Sequence, residues 1–376
     1  MASKIAFLGL GQAGSNICEV AERSNYLTGV INTSPEDLNA LKLVKNKFLV
    51  GIEGGSGKDR RIAKTELKSY YTDIAEFVKS TYKDPEVELI YVTFSTGGGT
   101  GSGMGPLIID VLRSLVPNKK FGAVAILPSA TESTVAHANS YECIKELSSL
   151  SVPTILIDND KCSSVNSQIS RKKLYDTVNE AFIDDLDMIL RVQRPASLYG
   201  NIDSKDVLKL LCTPGVTSLG ILTEFSETMS LQKQMIRSLE ESPYAPLEFD
   251  RVVSRIGVIY EVRETTTKLI QYDELNKDLG IPLELFEGIY LKPTDETVVT
   301  IVSGQSFPMG RINTIMETIS KNKELFTTRK DFTIKSDSFD WFAEKREEVT
   351  FSSGIDKVDV EDSIDKIDIS DIFSRY

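Results

Sequence analysis

Histidine and tryptophan each occur once, as His137 and Trp341, in a chain of 376 residues. A single imidazole excludes every site built on two histidines, zincins and two-histidine iron centres among them. A Ser-His-Asp triad would have to use that one ring. The four cysteines (Cys18, Cys143, Cys162, Cys212) lie far apart with no Cys-x-x-Cys pair, so neither a zinc site nor a disulfide framework is indicated. Reduced, mostly packed thiols are expected. No apolar run approaches the ~20 residues of a spanning helix. The apolar stretch Ile5 to Leu10 is too short for a signal sequence and runs into a glycine loop, so a cytoplasmic protein with no membrane contact is expected. Basic residues are outnumbered 43 to 55, a formal net charge of −12. That charge repels nucleic acid, so any contact with DNA is expected through a partner.

What is present is close to an average globular composition, 41% apolar and 26% charged. The length allows two or three domains. Short β-branched runs near residues 4–9, 28–32, 47–50, 88–94, 121–127 and 153–158 alternate with amphipathic stretches, the pattern of an α/β domain with a mostly parallel sheet. From Arg171 to Arg191 the apolar residues Leu174, Val178, Ala181, Phe182, Leu186, Ile189 and Leu190 fall at helical spacing. This predicts a long connecting helix. Beyond Pro195 come longer strand-like segments (215–222, 251–262, 285–291, 296–302) and a helix over 309–319, a second, smaller α/β domain. The expected organisation is residues 1–170, a connector over 171–193, a second domain over 194–325, a packed segment over 326–350 anchored by Trp341, and a flexible acidic tail over 351–376. That tail repeats itself after nine residues: Asp356-Lys357-Val358-Asp359-Val360 is echoed by Asp365-Lys366-Ile367-Asp368-Ile369.

Three glycine clusters carry the chemistry. Gly9-Leu10-Gly11-Gln12-Ala13-Gly14 follows a strand and opens a helix, where close backbone approach and free N–H groups suit phosphate. A bare tight turn is the alternative. A dinucleotide reading also needs an acid closing the second strand, and Asn32-Thr33 stands there. The run Thr96-Gly97-Gly98-Gly99-Thr100-Gly101-Ser102-Gly103 is unusually rich in glycine, whose ordering is entropically costly. It is expected to form a nest of N–H donors around a polyphosphate, with the Thr100 and Ser102 hydroxyls as further donors. The third cluster, Gly51 to Gly57 with Lys58, is expected either to close over a terminal phosphate or to be a solvated loop. It is not a P-loop, because Ile52 and Asp59 stand at required glycine and hydroxyl positions. His137, beside these loops, is expected to be a partly exposed helix residue.

Gly97 to Gly103, with Gly11 to Asn16, resembles the tubulin/FtsZ superfamily of GTP-dependent polymers, and the likeness extends in order over about the first 220 residues. Within the superfamily the chain is most similar to the TubZ plasmid and phage DNA-segregation proteins. The resemblance implies that Gly11, Gln12, Ala13, Asn16, Gly97, Gly98, Gly99, Thr100 and Gly101 bind the nucleotide. It implies that Glu132 holds the ribose, that Asn159 and Asn179 read guanine and that Tyr175 stacks on it. Tyr175 and Asn179 share one helix face by their spacing. Asn201-Ile202-Asp203-Ser204-Lys205-Asp206 resembles the loop that family members insert into a neighbour's pocket, which implies catalytic roles for Asn201, Asp203 and Asp206. From the residues alone this stretch reads as a helix cap.

The resemblance therefore implies a GTPase that binds GTP or GDP with Mg²⁺, the metal held through phosphates and water rather than side chains. It implies head-to-tail filaments, hydrolysis at the subunit interface, and DNA segregation through an adaptor. The repeated acidic tail is expected, from its own pattern of charges and aliphatics, to engage that adaptor or else to be a solvated segment. The chain departs from FtsZ after the ribose glutamate, where Ser133, Thr134, Val135 and Ala136 replace basic residues. The rival readings are an FtsZ-like division polymer, a dinucleotide-dependent oxidoreductase, and a nucleotide-binding structural protein without turnover.

Overall fold

The computed structural model describes residues 4–51, 54–165, 170–190, 197–244, 248, 253–270, 272–328 and 370–376. Its first half alternates β1 (Ile5–Leu10), α1 (Gly11–Arg23), β2 (Leu27–Asn32), α2 (Pro35–Ala40), β3 (Asn46–Leu49), α3 (Arg60–Thr81), β4 (Leu89–Ser95), α4 (Thr100–Leu115), β5 (Lys120–Leu127), α5 (Thr134–Ser148), β6 (Pro153–Asp158) and α6 (Asn159–Val165). The second half runs α7 (Arg171–Ile189), β7 (Ser197–Gly200), α8 (Ser204–Leu211), β8 (Gly215–Leu222), α9 (Leu231–Glu241), β9 (Arg255–Val262), α10 (Glu264–Thr267), α11 (Tyr272–Leu279), β10 (Glu284–Leu291), β11 (Thr297–Gln305), α12 (Met309–Thr328) and α13 (Ser370–Ser374).

The described strands form one sheet in the order β3-β2-β1-β4-β5-β6-β8-β11-β9-β10-β7. The first six pair in parallel. β1 and β6 are buried along their whole length, and β4 and β5 nearly so, which explains their unbroken apolar runs: helices cover both faces. The second half is mixed, with β11 antiparallel to both β8 and β9. Between β6 and β8 the two halves join at two registered pairs, Pro153 with Gly215 and Thr154 with Val216, and an isolated antiparallel bridge links Ile157 to Tyr244.

A stripe on α7, Phe182, Ile183, Leu186 and Ile189, is fully buried in a cluster that also holds Ile5, Phe7 and Leu89 of the first half and Leu219, Ile259 and Ile301 of the second. The long connector is thus a shared core element. Phe7, Phe94 and Phe121 are core residues, as expected. Cys18, Cys143 and Cys162 are buried and all four cysteines are free. Burial pushes the Cys18 and Cys143 thiols up to about 12.

Two expectations need correction and two lie outside the described residues. His137 is fully buried rather than partly exposed. It sits on the inward stripe of α5 with Ala136, Ser140 and Cys143, its Nδ1 3.0 Å from the Ser133 carbonyl oxygen. The helix expected over 309–319 continues to Thr328. Trp341 and the segment 329–350 lie outside the described residues, as does most of the acidic repeat, 351–369. Residues 370–376 are described, and Ile372 is buried in the core cluster that contains Leu67, Leu107 and Ile108.

Candidate nucleotide-binding site

The order 3-2-1-4-5-6 reverses direction between β1 and β4, and in such sheets ligands bind at that point, beyond the carboxyl ends of the strands. Two helices start there, α1 after β1 and α4 after β4. Neither has a side-chain cap: the cap residues are Leu10 and Gly99. By contrast, Ser34, Asp59, Ser133, Ser170, Asp203 and Ser230 cap α2, α3, α5, α7, α8 and α9 with their side chains. The sequence thus leaves first-turn N–H groups of α1 and α4 unclaimed by a cap, where they and the helix dipoles favour an anion.

A cavity of about 350 Å³ opens over these two helix starts, lined by Gly11, Gln12, Ala13, Asn32, Thr33, Asp37, Ser56, Lys58, Glu132 and the whole run Gly97 to Gly101. A second cavity of about 110 Å³ shares Ala13, Ser95 and Glu132 with it and is completed by Asn16, Asn159, Tyr175 and Asn179. All thirteen residues expected to bind nucleotide therefore line one continuous, two-part depression. Glu132 stands at its waist, its Oε1 accepting from the Ser129 N–H at 3.2 Å and from the Tyr175 hydroxyl at 3.4 Å. Asn159 and Asn179 are buried and line the smaller cavity. The depression runs from the end of β2, where Asn32, Thr33 and Asp37 line it, over β1 and β4 toward β5, β6 and α7. The residue closing β2, where a dinucleotide's ribose would need an acid, is Asn32.

The glycine run proves to be shared between cradle and packing. A side chain at Gly98 would meet nothing within 4 Å, so this residue faces open space. A Cβ at Gly103 would stand 2.6 Å from the Arg60 carbonyl oxygen, and one at Gly105 2.7 Å from the Phe94 ring. These two are glycine because α4 packs tightly on α3 and β4. The Ser102 hydroxyl is not a spare donor, since it bonds to the Gly98 carbonyl and is fully buried. Thr100 Oγ1 lies 2.8 Å from Thr33 Oγ1 and 3.1 Å from Ser56 Oγ, tying three loops together at the cavity floor.

Asp37 and Arg311 carry no sequence signal strong enough to be singled out, whereas Lys58 is expected here as part of the third glycine cluster. Asp37, five residues past Asn32 and 3.2 Å from its amide, brings a carboxylate to the phosphate half. Lys58 is the one basic side chain among the described residues lining that half. Its backbone is in the left-handed region, φ 66°, and the Asn139 amide holds its carbonyl at 3.0 Å. Arg311 of α12 donates through Nη2 to the Pro128 carbonyl oxygen at 2.7 Å and grips the Asp158 carboxylate. It thereby fixes the loops that carry Glu132 and Asn159.

Asn201, Asp203 and Asp206 do not line either cavity. They follow the far end of α7, and Ile189 is about 15 Å along the helix from Asn179 at 1.5 Å per residue. Asp203 caps α8, accepting from the Lys205 N–H at 2.7 Å and the Asp206 N–H at 3.0 Å, while Asp206 Oδ2 accepts from the Asp203 N–H at 3.0 Å. These backbone bonds, that of Asp206 foremost, hold the Asp203 carboxyl below the usual carboxylate range. Tyr290 steadies the loop: its hydroxyl accepts from the Ile202 N–H and donates to Asn201 Oδ1, both at 2.9 Å. A larger cleft, about 790 Å³, lies against α7, β8 and α9, and no glycine lines it among the described residues.

Fold and site together define a doubly wound α/β protein with a two-part pocket at its switch point. Residues 4–167 match the tubulin/FtsZ family GTPase domain, and the chain carries a GTPase domain of the tubulin/FtsZ superfamily. Over 384 aligned residues it is 26% identical to the tubulin-like protein TubZ of Clostridium botulinum C phage, covering 100% of both chains. The crystal structure of phage c-st TubZ superposes with a TM-score of 0.71 at 22% identity, covering 86% of this chain and 100% of that one. A GTPγS-form protofilament of Bacillus thuringiensis serovar israelensis TubZ gives a TM-score of 0.74 at 17% identity, covering 87% and 94%. Among the described residues no helix is long and apolar enough to cross a membrane.

Proposed function

We propose that the chain is a filament-forming GTPase whose active site is completed by the next subunit. Residues 1–170 bind the nucleotide, 171–193 connect, and 194–325 form the second domain that presents Asn201, Asp203 and Asp206 to the neighbour. One observation carries the reading: the capped acidic loop is exposed at the opposite end of α7 from a pocket to which it contributes no residue. Within the pocket the triphosphate lies over the α1 and α4 starts, Glu132 takes the ribose, and the base enters the compartment of Asn159, Tyr175 and Asn179. Asp203 and Asp206 orient water against the neighbour's terminal phosphate, the positioning that phosphoryl transfer requires.

Magnesium fits this setting in one manner. The described residues contain no group of three potential metal ligands, and the phosphate half offers two carboxylates, Asp37 and Glu132, the second of which is assigned to the ribose. An ion that keeps its waters and takes most of its ligands from phosphates suits such a site, where it would offset phosphate charge. The likeness to the Bacillus thuringiensis protofilament supports head-to-tail assembly. The acidic tail and the net charge of −12 support a role in moving DNA through an adaptor rather than by direct contact.

Light scattering with GTP, GDP, ATP and NAD in turn tests the proposal. Growth is expected with GTP alone, with phosphate release per subunit rising steeply with protein concentration. Release per subunit that does not change with concentration would exclude a shared active site.

A further inference from the structure

The terminal residues 370–376 are seated on the face formed by α3 and α4. Ile372 is buried in the core cluster, and Phe373 meets Tyr71 edge-on at 5.3 Å between ring centroids. The Lys68 ammonium donates to the Phe373 carbonyl oxygen at 3.2 Å and lies 5.8 Å from that ring's centre. Lys64 Nζ lies 3.5 Å from the Tyr376 carbonyl oxygen and 5.3 Å from the centre of its ring. Arg375 approaches Asp110 of α4 at 3.8 Å. The seat is aromatic and basic, and the segment it holds is the end of an acidic repeat.

The same lysine leads inward. Lys64 Nζ donates to Glu146 Oε1 at 2.6 Å, and Glu146 Oε2 accepts from Arg60 at 2.5 Å. Arg60 in turn donates through Nη2 to the carbonyl oxygen of Ser102, in the first turn of α4, at 3.1 Å. All three linking side chains are less than 20% exposed, so their charges are only weakly screened. Arg60 is also the first residue of α3, separated by the cap residue Asp59 alone from the Gly55 to Lys58 loop that lines the phosphate half.

We propose that the α3–α4 face is a receptor for the chain's own terminal segment. Its occupancy is coupled to nucleotide binding through Lys64, Glu146, Arg60 and the Ser102 carbonyl; that coupling rests on the GTP reading above, the receptor does not. Binding at either end tightens the same three side chains, so each event favours the other, and such coupling must be reciprocal. Docking belongs to the second copy of the repeat alone. In the first copy Ser363, Ile364 and Ile367 stand where the second has Ile372, Phe373 and Tyr376.

The two copies supply their own control. Residues 356–367 carry five acids and two bases, while residues 365–376 carry three acids and two bases. Plain charge attraction to α3 would favour the first, and an apolar seat favours the second. The test uses full-length protein with Phe373→Asp, which disables the resident segment and leaves the receptor whole, and labelled synthetic peptides followed by anisotropy. The 365–376 peptide should bind this variant at least ~10-fold more tightly than the 356–367 peptide, and more tightly than it binds wild-type chain, whose seat is taken. Lys68→Glu added on the receptor side should weaken it. Equal binding of the two peptides, or no binding, overturns the receptor. A hydrolysis-resistant GTP analogue should tighten the 365–376 peptide about fivefold, within the usual range of coupling between sites. Glu146→Gln should remove that gain; an unchanged affinity with the analogue bound overturns the coupling. A chain that captures the peptide but not the analogue overturns the GTP reading and leaves the receptor standing.

Discussion

Arg311 and Asp158, 153 positions apart in the chain, meet in a two-point ion pair: Nε to Oδ2 at 2.8 Å and Nη2 to Oδ1 at 3.0 Å. Their side chains are 11% and 2% exposed. The carboxylate also accepts from the Asp160 N–H at 3.0 Å, and the guanidinium reaches the Pro128 carbonyl. A helix from the second half thus holds both the loop before Glu132 and the loop that bears Asn159.

Arg311→Met should therefore have two separable effects. Leaving Asp158 buried without its partner should cost about 3 to 5 kcal/mol of stability, read by chemical denaturation. Loss of the Pro128 anchor should weaken GTP binding by at least ~10-fold in calorimetry. Adding Asp158→Asn should restore much of the stability, because no charge is then stranded, while the affinity stays low. Arg311→Lys keeps the charge but not the planar fork, so it should fall between the two. A double-mutant cycle with coupling below about 1 kcal/mol would show that the pair does not work as a unit.

Asp203→Asn separates capping from catalysis. Asparagine caps a helix about as well as aspartate, whereas alanine would cost about 0.5 to 2 kcal/mol and blur the result. With the cap kept and the charge gone, melting temperature and GTP binding should be unchanged. Phosphate release per polymer should drop by at least ~10²-fold, the usual loss for one positioned catalytic group, and filaments should persist. Release at the wild-type rate would leave Asp203 with its cap alone.

Base choice should reside in Asn159, Tyr175 and Asn179. A buried amide left unpaired by the wrong base costs roughly 1 to 3 kcal/mol, so Asn179→Ala should narrow the gap between GTP and ATP. Tyr175→Ala should weaken both nucleotides, because stacking ignores the base edge. Tyr175→Phe should stack as before and lose only the contact to Glu132, with at most a few-fold effect. A GTP to ATP ratio untouched by Asn179→Ala would move guanine recognition elsewhere.

The parts that could be read from the sequence are those fixed by short-range rules. Buried parallel strands announce themselves as apolar runs, most of them ending at or near glycine or a small polar residue, and β1, β2, β4, β5 and β6 lie within a residue or so of their expected bounds. The α8 cap was legible because Asp203 and Asp206 stand three apart. What could not be read depends on contacts between distant residues. Arg311 follows Met309-Gly310 with no motif around it, and only the packing of α12 against α5, which brings Arg311 to Asp158 at the end of β6, gives it meaning. The separate duties of Gly98 and Gly103 depend on where α3 passes. β7 is a four-residue, wholly exposed strand that exists because β10 offers it an edge. Ile372 and Phe373 sit among acids that suggest a solvated tail, and their burial requires the α3–α4 face.

That seat changes how the adaptor role of the acidic repeat should be tested. Val358, Val360, Ile367 and Ile369 alternate with charges, as an extended segment presenting one apolar and one acidic edge would have them. Each copy is expected to dock on a basic groove of an adaptor that itself binds DNA. Cutting after Ser353 would remove the repeat but also strip Ile372 and Phe373 from the body, so a defect in assembly would be ambiguous. Converting Asp356, Asp359, Glu361 and Asp362 to their amides leaves the seated end intact. Filaments of that variant should assemble and hydrolyse GTP as before, yet carry down less adaptor and less labelled DNA on pelleting. Because every subunit repeats the weak site, avidity can exceed single-site affinity by ~10²-fold or more, and a small loss per copy should be magnified along the polymer. Raising salt should mimic the substitution in the wild type by screening the same charges. If the neutralised filaments pellet as much DNA as the unaltered ones, the first copy is a solubilising segment and the adaptor contact must be sought elsewhere on the filament.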